Sequence, residues 1–209
     1  MTTFCAGEDS PSAPLGCLSF DRRSSIPALV TQFDSFERLA PEACTAAIAA
    51  EAFGPLVGRT WRLLENENGE EKMALDGEGW LKRKAMMKLP LAITYALEGT
   101  KFHSDICALK FVHIEEDWDL CAPPRKIEAK GTIVHQQYGI TADGRRPFIR
   151  KSEVSAHAVK SESVLTYELS EGDTRLKMTT WCAYPDMDPP ALCVYTMHMG
   201  ADPPAAPAG

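Results

Sequence analysis

The chain has no Cys-x-x-Cys spacing, no apolar run long enough to cross a bilayer, and no excess of basic residues. Its seven cysteines, Cys5, Cys17, Cys44, Cys107, Cys121, Cys182 and Cys193, are odd in number and scattered. That pattern excludes a zinc ribbon or a dithiol redox motif and reads as free thiols in a reducing, cytoplasmic setting. A formal net charge of −7 argues against nucleic acid as a partner, because phosphate neutralisation needs a basic surface. The N-terminus MTTFCAGEDS lacks both the basic and the apolar region of a secretory signal, so none is expected. No Gly-x-Ser-x-Gly elbow marks a hydrolase nucleophile. His103, His113, His135, His157 and His198 form no i, i+4 pair, so spacing supports neither a metal nor a haem site and no cofactor is expected.

What is present is ordinary globular material. With 44% hydrophobic and 24% charged residues in 209, the chain can build one core of common size. Residues 1 to 25 are rich in Ser, Pro, Gly and Ala without a period and are expected to be mobile. From Ile26, the residues Leu29, Val30, Phe33, Phe36 and Leu39 fall at a loosely helical spacing. Pro41-Glu42 predicts the start of a helix, EACTAAIAAEAF, that Gly54-Pro55 ends. Its alanine face suits packing on the outside or open end of the main domain, although residues 1–57 read chiefly as an extension without a role.

The organising stretch runs from Gly58 to Pro90. Trp61 and Leu63 fit a short strand that breaks after Leu64. Asn68 is placed to cap a helix whose first turn holds Glu70 and Glu71, where the dipole favours acids. Gly77 and Gly79 mark a joint, and WLKRKAMMKL supplies a second helix that Pro90 stops. From Leu91 the period becomes two. LAITYALEG and TKFHSDICALK flank a hairpin signal at Glu98-Gly99. Then follow FVHIEEDWDLC, a long strand KIEAKGTIVHQQYGI bent at Gly131, a strand from Pro147 to Val159, and the strands VLTYEL, TRLKMTTWCAY and ALCVYTMHM. The tail 200–209 is low-complexity. Successive strands with a single helical pair predict a mainly β protein: a closed antiparallel β-barrel of about ten strands with a helix-turn-helix lid.

The ordered set Trp61, Asn68, Met73, Gly77, Gly79, Trp80, Arg83 and Lys84, followed by Thr141-Ala142-Asp143-Gly144-Arg145, resembles the intracellular fatty-acid-binding proteins of the calycin superfamily. The resemblance covers residues 58–199. It implies non-catalytic binding and transport of a hydrophobic ligand, a fatty acid or related lipid, in the barrel cavity. The family anchors the fatty-acid carboxylate with an Arg-x-Tyr pair and a second internal arginine. Tyr195 and Met197 stand where that pair would be, and Tyr167 takes the place of the second arginine.

An isolated carboxylate in a dry cavity is too costly to bury without a cation or several donors. The candidate ligand-binding residues are therefore Tyr195, Met197 and Tyr167, with Arg150 and Arg145 as substitute bases and Met73 and Trp80 from the lid. Each has a plainer reading: Arg150 as a surface strand residue, and the tyrosines as core residues satisfied by backbone. The basic cluster Lys82, Arg83, Lys84 and Lys88 beside Trp80 and Met86 suits either transient membrane contact or a plain amphipathic lid. The competing functions are an isomerase-like enzyme using His157 or a tyrosine as acid, and a haem-binding barrel.

Overall fold

The computed structural model describes residues 38–109, 112–129, 132–155, 159–170 and 172–202. The expected mobile N-terminus, the apolar segment 26–37, the bend at Gly131, His157 and the tail from 203 lie outside them. The helices are α1 (Ala46–Phe53), α2 (Gly69–Leu75) and α3 (Trp80–Met86). The strands are β1 (Thr60–Glu67), β2 (Leu91–Glu98), β3 (Lys101–Ala108), β4 (Val112–Asp119), β5 (Arg125–Ala129), β6 (Thr132–Ile140), β7 (Pro147–Ser155), β8 (Val159–Ser170), β9 (Arg175–Tyr184) and β10 (Ala191–Ala201).

All ten strands form one antiparallel sheet in the order β4-β3-β2-β1-β10-β9-β8-β7-β6-β5. The sheet is a meander curled on itself, with β10 returning to pair with β1. Among the described residues no ladder joins β4 to β5, so the closure expected of the barrel is interrupted by an open seam. Inward-facing Ile114 on β4 and Ile127 on β5 are exposed along it. The seam is bridged near its base, where the Arg125 guanidinium donates to the Asp117 carbonyl at 2.6 Å and lies 4.3 Å over the Trp118 ring.

Two strand boundaries differ from the sequence reading. β1 does not end at Leu64: its register shifts between Leu63 and Glu65, and it continues so that Asn66 and Glu67 pair with Met197 and Thr196. A bulge of this kind re-aims side chains without ending a ladder. The long strand expected over residues 126–140 is two strands, β5 and β6, paired with Ala129 opposite Thr132. At the other end β10 runs to Ala201, and the Asp202 carboxylate binds Arg62 Nε at 2.7 Å, so the ordered sheet passes the expected limit at 199.

The chain before Gly58 is more than an appendage. Pro41–Ala43 makes only a 3₁₀ turn, Cys44 is extended, and the helix begins after Thr45, whose Oγ1 accepts from the Ile48 N–H. Capping by that hydroxyl satisfies an otherwise orphaned donor and sets the start. α1 then buries Ala49, Ala52 and Phe53. The Phe53 ring meets Phe102 at 4.4 Å between centroids, and Trp61 Nε1 donates to the Leu56 carbonyl at 2.9 Å. With Trp118, Leu120, Tyr138, Ile140, Leu176 and Met199 these residues form one core that fills the end of the sheet remote from α2 and α3.

Candidate functional site

α2 and α3 follow β1 directly and lie over the other end of the curled sheet. The joint between them is the one expected: Gly77 has φ +82°, a left-handed conformation that favours glycine, and Gly79 precedes the first turn of α3. Asn68 occupies the cap position of α2, but its side chain makes no cap bond. Its Nδ2 instead donates to the Val194 carbonyl of β10 at 2.8 Å and fastens the lid to the wall. Gly69 is packed so closely that a Cβ there would come within 2.6 Å of Asn66 Oδ1 and 3.0 Å of Met87 Sδ.

Beneath this lid lies a cavity of about 610 Å³ between α2 and the wall β6–β10. Strand alternation decides what enters it. From β10 come Tyr195 and Met197; from β9 Thr180, Cys182 and Tyr184; from β8 Ser161, Ser163 and Leu165; from β7 Ile149, Lys151 and Glu153; from β6 Gln136. These are cross-strand neighbours in register: Tyr195 pairs with Thr180, Thr180 with Leu165, Leu165 with Ile149. α2 adds Lys72, Leu75 and Asp76.

Two of the lining lysines are paired with carboxylates. Lys72 Nζ meets Asp76 Oδ2 at 2.6 Å, and the Tyr184 hydroxyl donates to Asp76 Oδ1 at 2.7 Å. Lys151 Nζ meets Glu153 Oε1 at 2.6 Å on the same strand. Burial pulls against the charged form of Lys72, but the hydrogen bond to Asp76 and the surrounding negative groups outweigh it, and its pKa is raised. The Tyr195 phenol is pushed up to about 12 by burial alone. Burial likewise raises Cys182 to about 12 and Cys193 to about 11, so both stand as neutral thiols, opposite each other across β9 and β10. Tyr184 is raised by burial first and then by Cys182 and Asp76.

The floor of the cavity is aromatic and buried. Tyr167 and Tyr95 are buried with ring centroids 6.2 Å apart in an edge-on arrangement, and Tyr95 stacks on Phe102 at 5.3 Å. Both phenols are raised in pKa chiefly by desolvation. Tyr138 donates to Glu116 Oε2 at 2.7 Å.

Of the residues singled out from sequence, Tyr195 and Met197 line the cavity. Tyr167 lies one layer lower, inside the floor. Arg150 is not an internal base: it alternates with the inward Ile149 and Lys151, faces outward, and pairs with Glu162 at 3.5 Å. A period of two leaves no other outcome once Ile149 points in. Arg145 sits in the β6–β7 turn, its backbone N–H donating to Asp143 Oδ1, far from the lid. Trp80 is 62% exposed on α3 and does not line the cavity, because its helix presents that face to solvent. Met73 is half-buried on α2, whose cavity-facing positions are Lys72, Leu75 and Asp76. Sequence reasoning missed Lys151, Glu153, Lys72, Asp76 and Tyr184. The signal for the β7 pair was there: Ile149, the apolar member of FIRKSEV, fixes which alternate residues turn inward.

No protein-family model matches the chain, and no curated protein matches it in sequence. Its fold does match solved structures. The fatty acid-binding protein from brain tissue of Drosophila melanogaster superposes with a TM-score of 0.51 at 17% identity, covering 70% of this chain and 99% of that one. The Schistosoma mansoni fatty acid binding protein crystallised with arachidonic acid gives 0.52 at 14%, covering 73% and 99%. Secretory abundant heat soluble protein 4 of Ramazzottius varieornatus gives 0.50 at 12%, covering 71% and 96%. At these identities the likeness is one of architecture: the described chain has the fold of the fatty-acid-binding proteins.

Proposed function

We propose that the cavity beneath the lid binds a hydrophobic small molecule reversibly, a fatty acid or related lipid, and that the protein carries this ligand within the cytoplasm rather than transforming it. The observation that supports this reading best is the cavity itself, walled by Ile149, Leu165 and Met197 and furnished with the half-buried Tyr195 phenol. Burial of an apolar tail there contributes on the order of 25 cal/mol per Å² removed from water. The thiols and phenols at the site are held protonated, which suits binding more than nucleophilic or acid–base chemistry. Free Cys44, Cys107, Cys121, Cys182 and Cys193 fit a reducing compartment. Organic extraction of the purified protein followed by mass spectrometry tests the reading: a co-purifying lipid supports carriage, and conversion of an added lipid to a new product overturns it.

The tyrosine at the arginine position carries a sharper expectation. A neutral phenol donates a hydrogen bond to an acid, an ester or an alcohol alike, and it lacks the roughly twofold strength of a charge-assisted bond. Fluorescent-probe displacement is expected to show little preference for a fatty acid over its methyl ester. Tyr195→Phe weakens binding by about 0.5–1.5 kcal/mol, while the outward Arg150→Ala leaves affinity unchanged. A strong acid preference abolished by Arg150→Ala would refute the arrangement.

Delivery is proposed to involve the lid. Trp80, Leu81 and Met86 are exposed at 62%, 75% and 48% on α3 beside Lys82 and Lys84, a combination suited to an anionic lipid surface. Co-sedimentation with vesicles containing phosphatidylserine should fall on raising salt and on changing Trp80 and Leu81 to Ala. Sedimentation insensitive to both would remove the lid from the delivery step.

A further inference from the structure

The cavity is polarised along its depth. The cations lining it stand from mid-depth up to the lid: Lys151 at the middle of β7, one inward step above Ile149, Lys160 at the start of β8, and Lys72 on α2. From Ser161 at the mouth to Leu165 the wall descends four residues, roughly 13 Å, and beyond Leu165 lies the sealed layer of Tyr167, Tyr95 and Met178. No arginine or lysine reaches that lower layer among the described residues. An ionised head placed on the floor would meet phenols that burial has raised well above their ordinary pKa and no positive charge. The apolar part of a ligand therefore belongs at the floor and its polar part under the lid.

The lining is also balanced in charge. Its three lysines, Lys72, Lys151 and Lys160, face three carboxylates, Asp76, Glu78 and Glu153. Lys72 and Lys151 are each held by a carboxylate at 2.6 Å, Glu78 is held at 2.6 Å by Lys82 from outside the lining, and Lys160 Nζ donates to Thr132 Oγ1 at 3.4 Å. A carboxylate head arriving beside Lys151 would share that cation with Glu153 and repel it. Level with Lys151 stand the Ser163 hydroxyl and the Gln136 amide, and one inward step deeper the hydroxyls of Thr180 and Tyr195, groups that offer hydrogen bonds without charge. Resting on the reading of the cavity as a lipid site, we propose that its ligand is an amphiphile oriented head toward the lid, with a head that carries no net charge.

A hydroxylated head and a zwitterionic head share this chemistry, and titration calorimetry on the full chain separates them. The probes are monodecanoylglycerol, decylphosphocholine and decanoate at pH 8, each below its micellisation concentration. At least one of the two neutral-headed amphiphiles should bind roughly tenfold more tightly than decanoate, a difference of about 1.4 kcal/mol. Which of the two does so identifies the head. Glu153→Gln, which frees Lys151 from its partner, should raise the affinity for decanoate about tenfold relative to that for the neutral heads. Circular dichroism confirms that the variant is folded. Decanoate as the tightest ligand of the wild type, or decanoate affinity unmoved relative to the neutral heads by Glu153→Gln, overturns the inference while leaving lipid binding intact. Failure of all three amphiphiles to bind overturns the lipid-site reading itself.

Discussion

Phe53→Ala should lower the free energy of unfolding by about 3–5 kcal/mol, the range for emptying a buried aromatic site. Phe53 is fully buried, its ring lies 4.4 Å from Phe102, and it precedes Leu56, whose carbonyl accepts the Trp61 indole N–H. Truncation leaves a void that α1 cannot easily close, because Ala49 and Ala52 already hold the helix against its neighbours with nothing left to withdraw. Glu51, exposed on the opposite face of α1, supplies the control: Glu51→Ala should change stability by less than about 0.5 kcal/mol. Urea unfolding monitored by tryptophan fluorescence reads both. Equal midpoints for Phe53→Ala and wild type would return α1 to the status of an appendage.

That result bears on how much of the molecule could be read without coordinates. The lid was legible because its signals are local: acids after Asn68, glycines at 77 and 79, and Pro90 after the last basic residue each act within a turn or two. The alternation of β2 and β3 was legible for the same reason, since Tyr95, Leu97, Phe102 and Ser104 recur on one face at a spacing of two. The role of α1 was not. An alanine-rich helix ahead of a sheet has the same pattern whether it lies on a surface or seals one end, and only the distant partners Phe102 and Trp61 decide. The site was half legible. Tyr195 and Met197 followed from their place in the last strand, whereas Arg150 drew attention by its charge although Ile149 beside it carried the register. Alternation also weakens where both faces of a strand are buried. In β9 the inward Leu176, Met178, Thr180, Cys182 and Tyr184 are interleaved with Thr179 and Ala183, which are equally hidden. Burial on both faces leaves the stretch TTWCAY without a clear alternation to read.

The outer face of β7–β9 therefore yields the second large effect. Val164 points away from the cavity, between Arg150 and Trp181 on the neighbouring strands, yet only 1% of its surface is exposed. Phe148 and Ala183 on the same face are as deeply buried, and Glu162, two residues before Val164, is 8% exposed and engaged by Arg150 and by the Ser152 hydroxyl at 2.9 Å. This outer wall behaves as core. Val164→Lys brings an ammonium into that layer directly opposite the like charge of Arg150, while the nearest carboxylate is already committed. Loss of stability of about 3–5 kcal/mol follows, the scale of an uncompensated buried charge. Val164→Thr keeps the shape and adds one hydroxyl, so it should cost about 1–3 kcal/mol and give a measurable midpoint even if the lysine variant does not fold. Chemical denaturation of the two variants against wild type orders them. If Val164→Lys unfolds at the wild-type midpoint, the side chain has reached water, and the outer face of β7–β9 is an ordinary solvated surface.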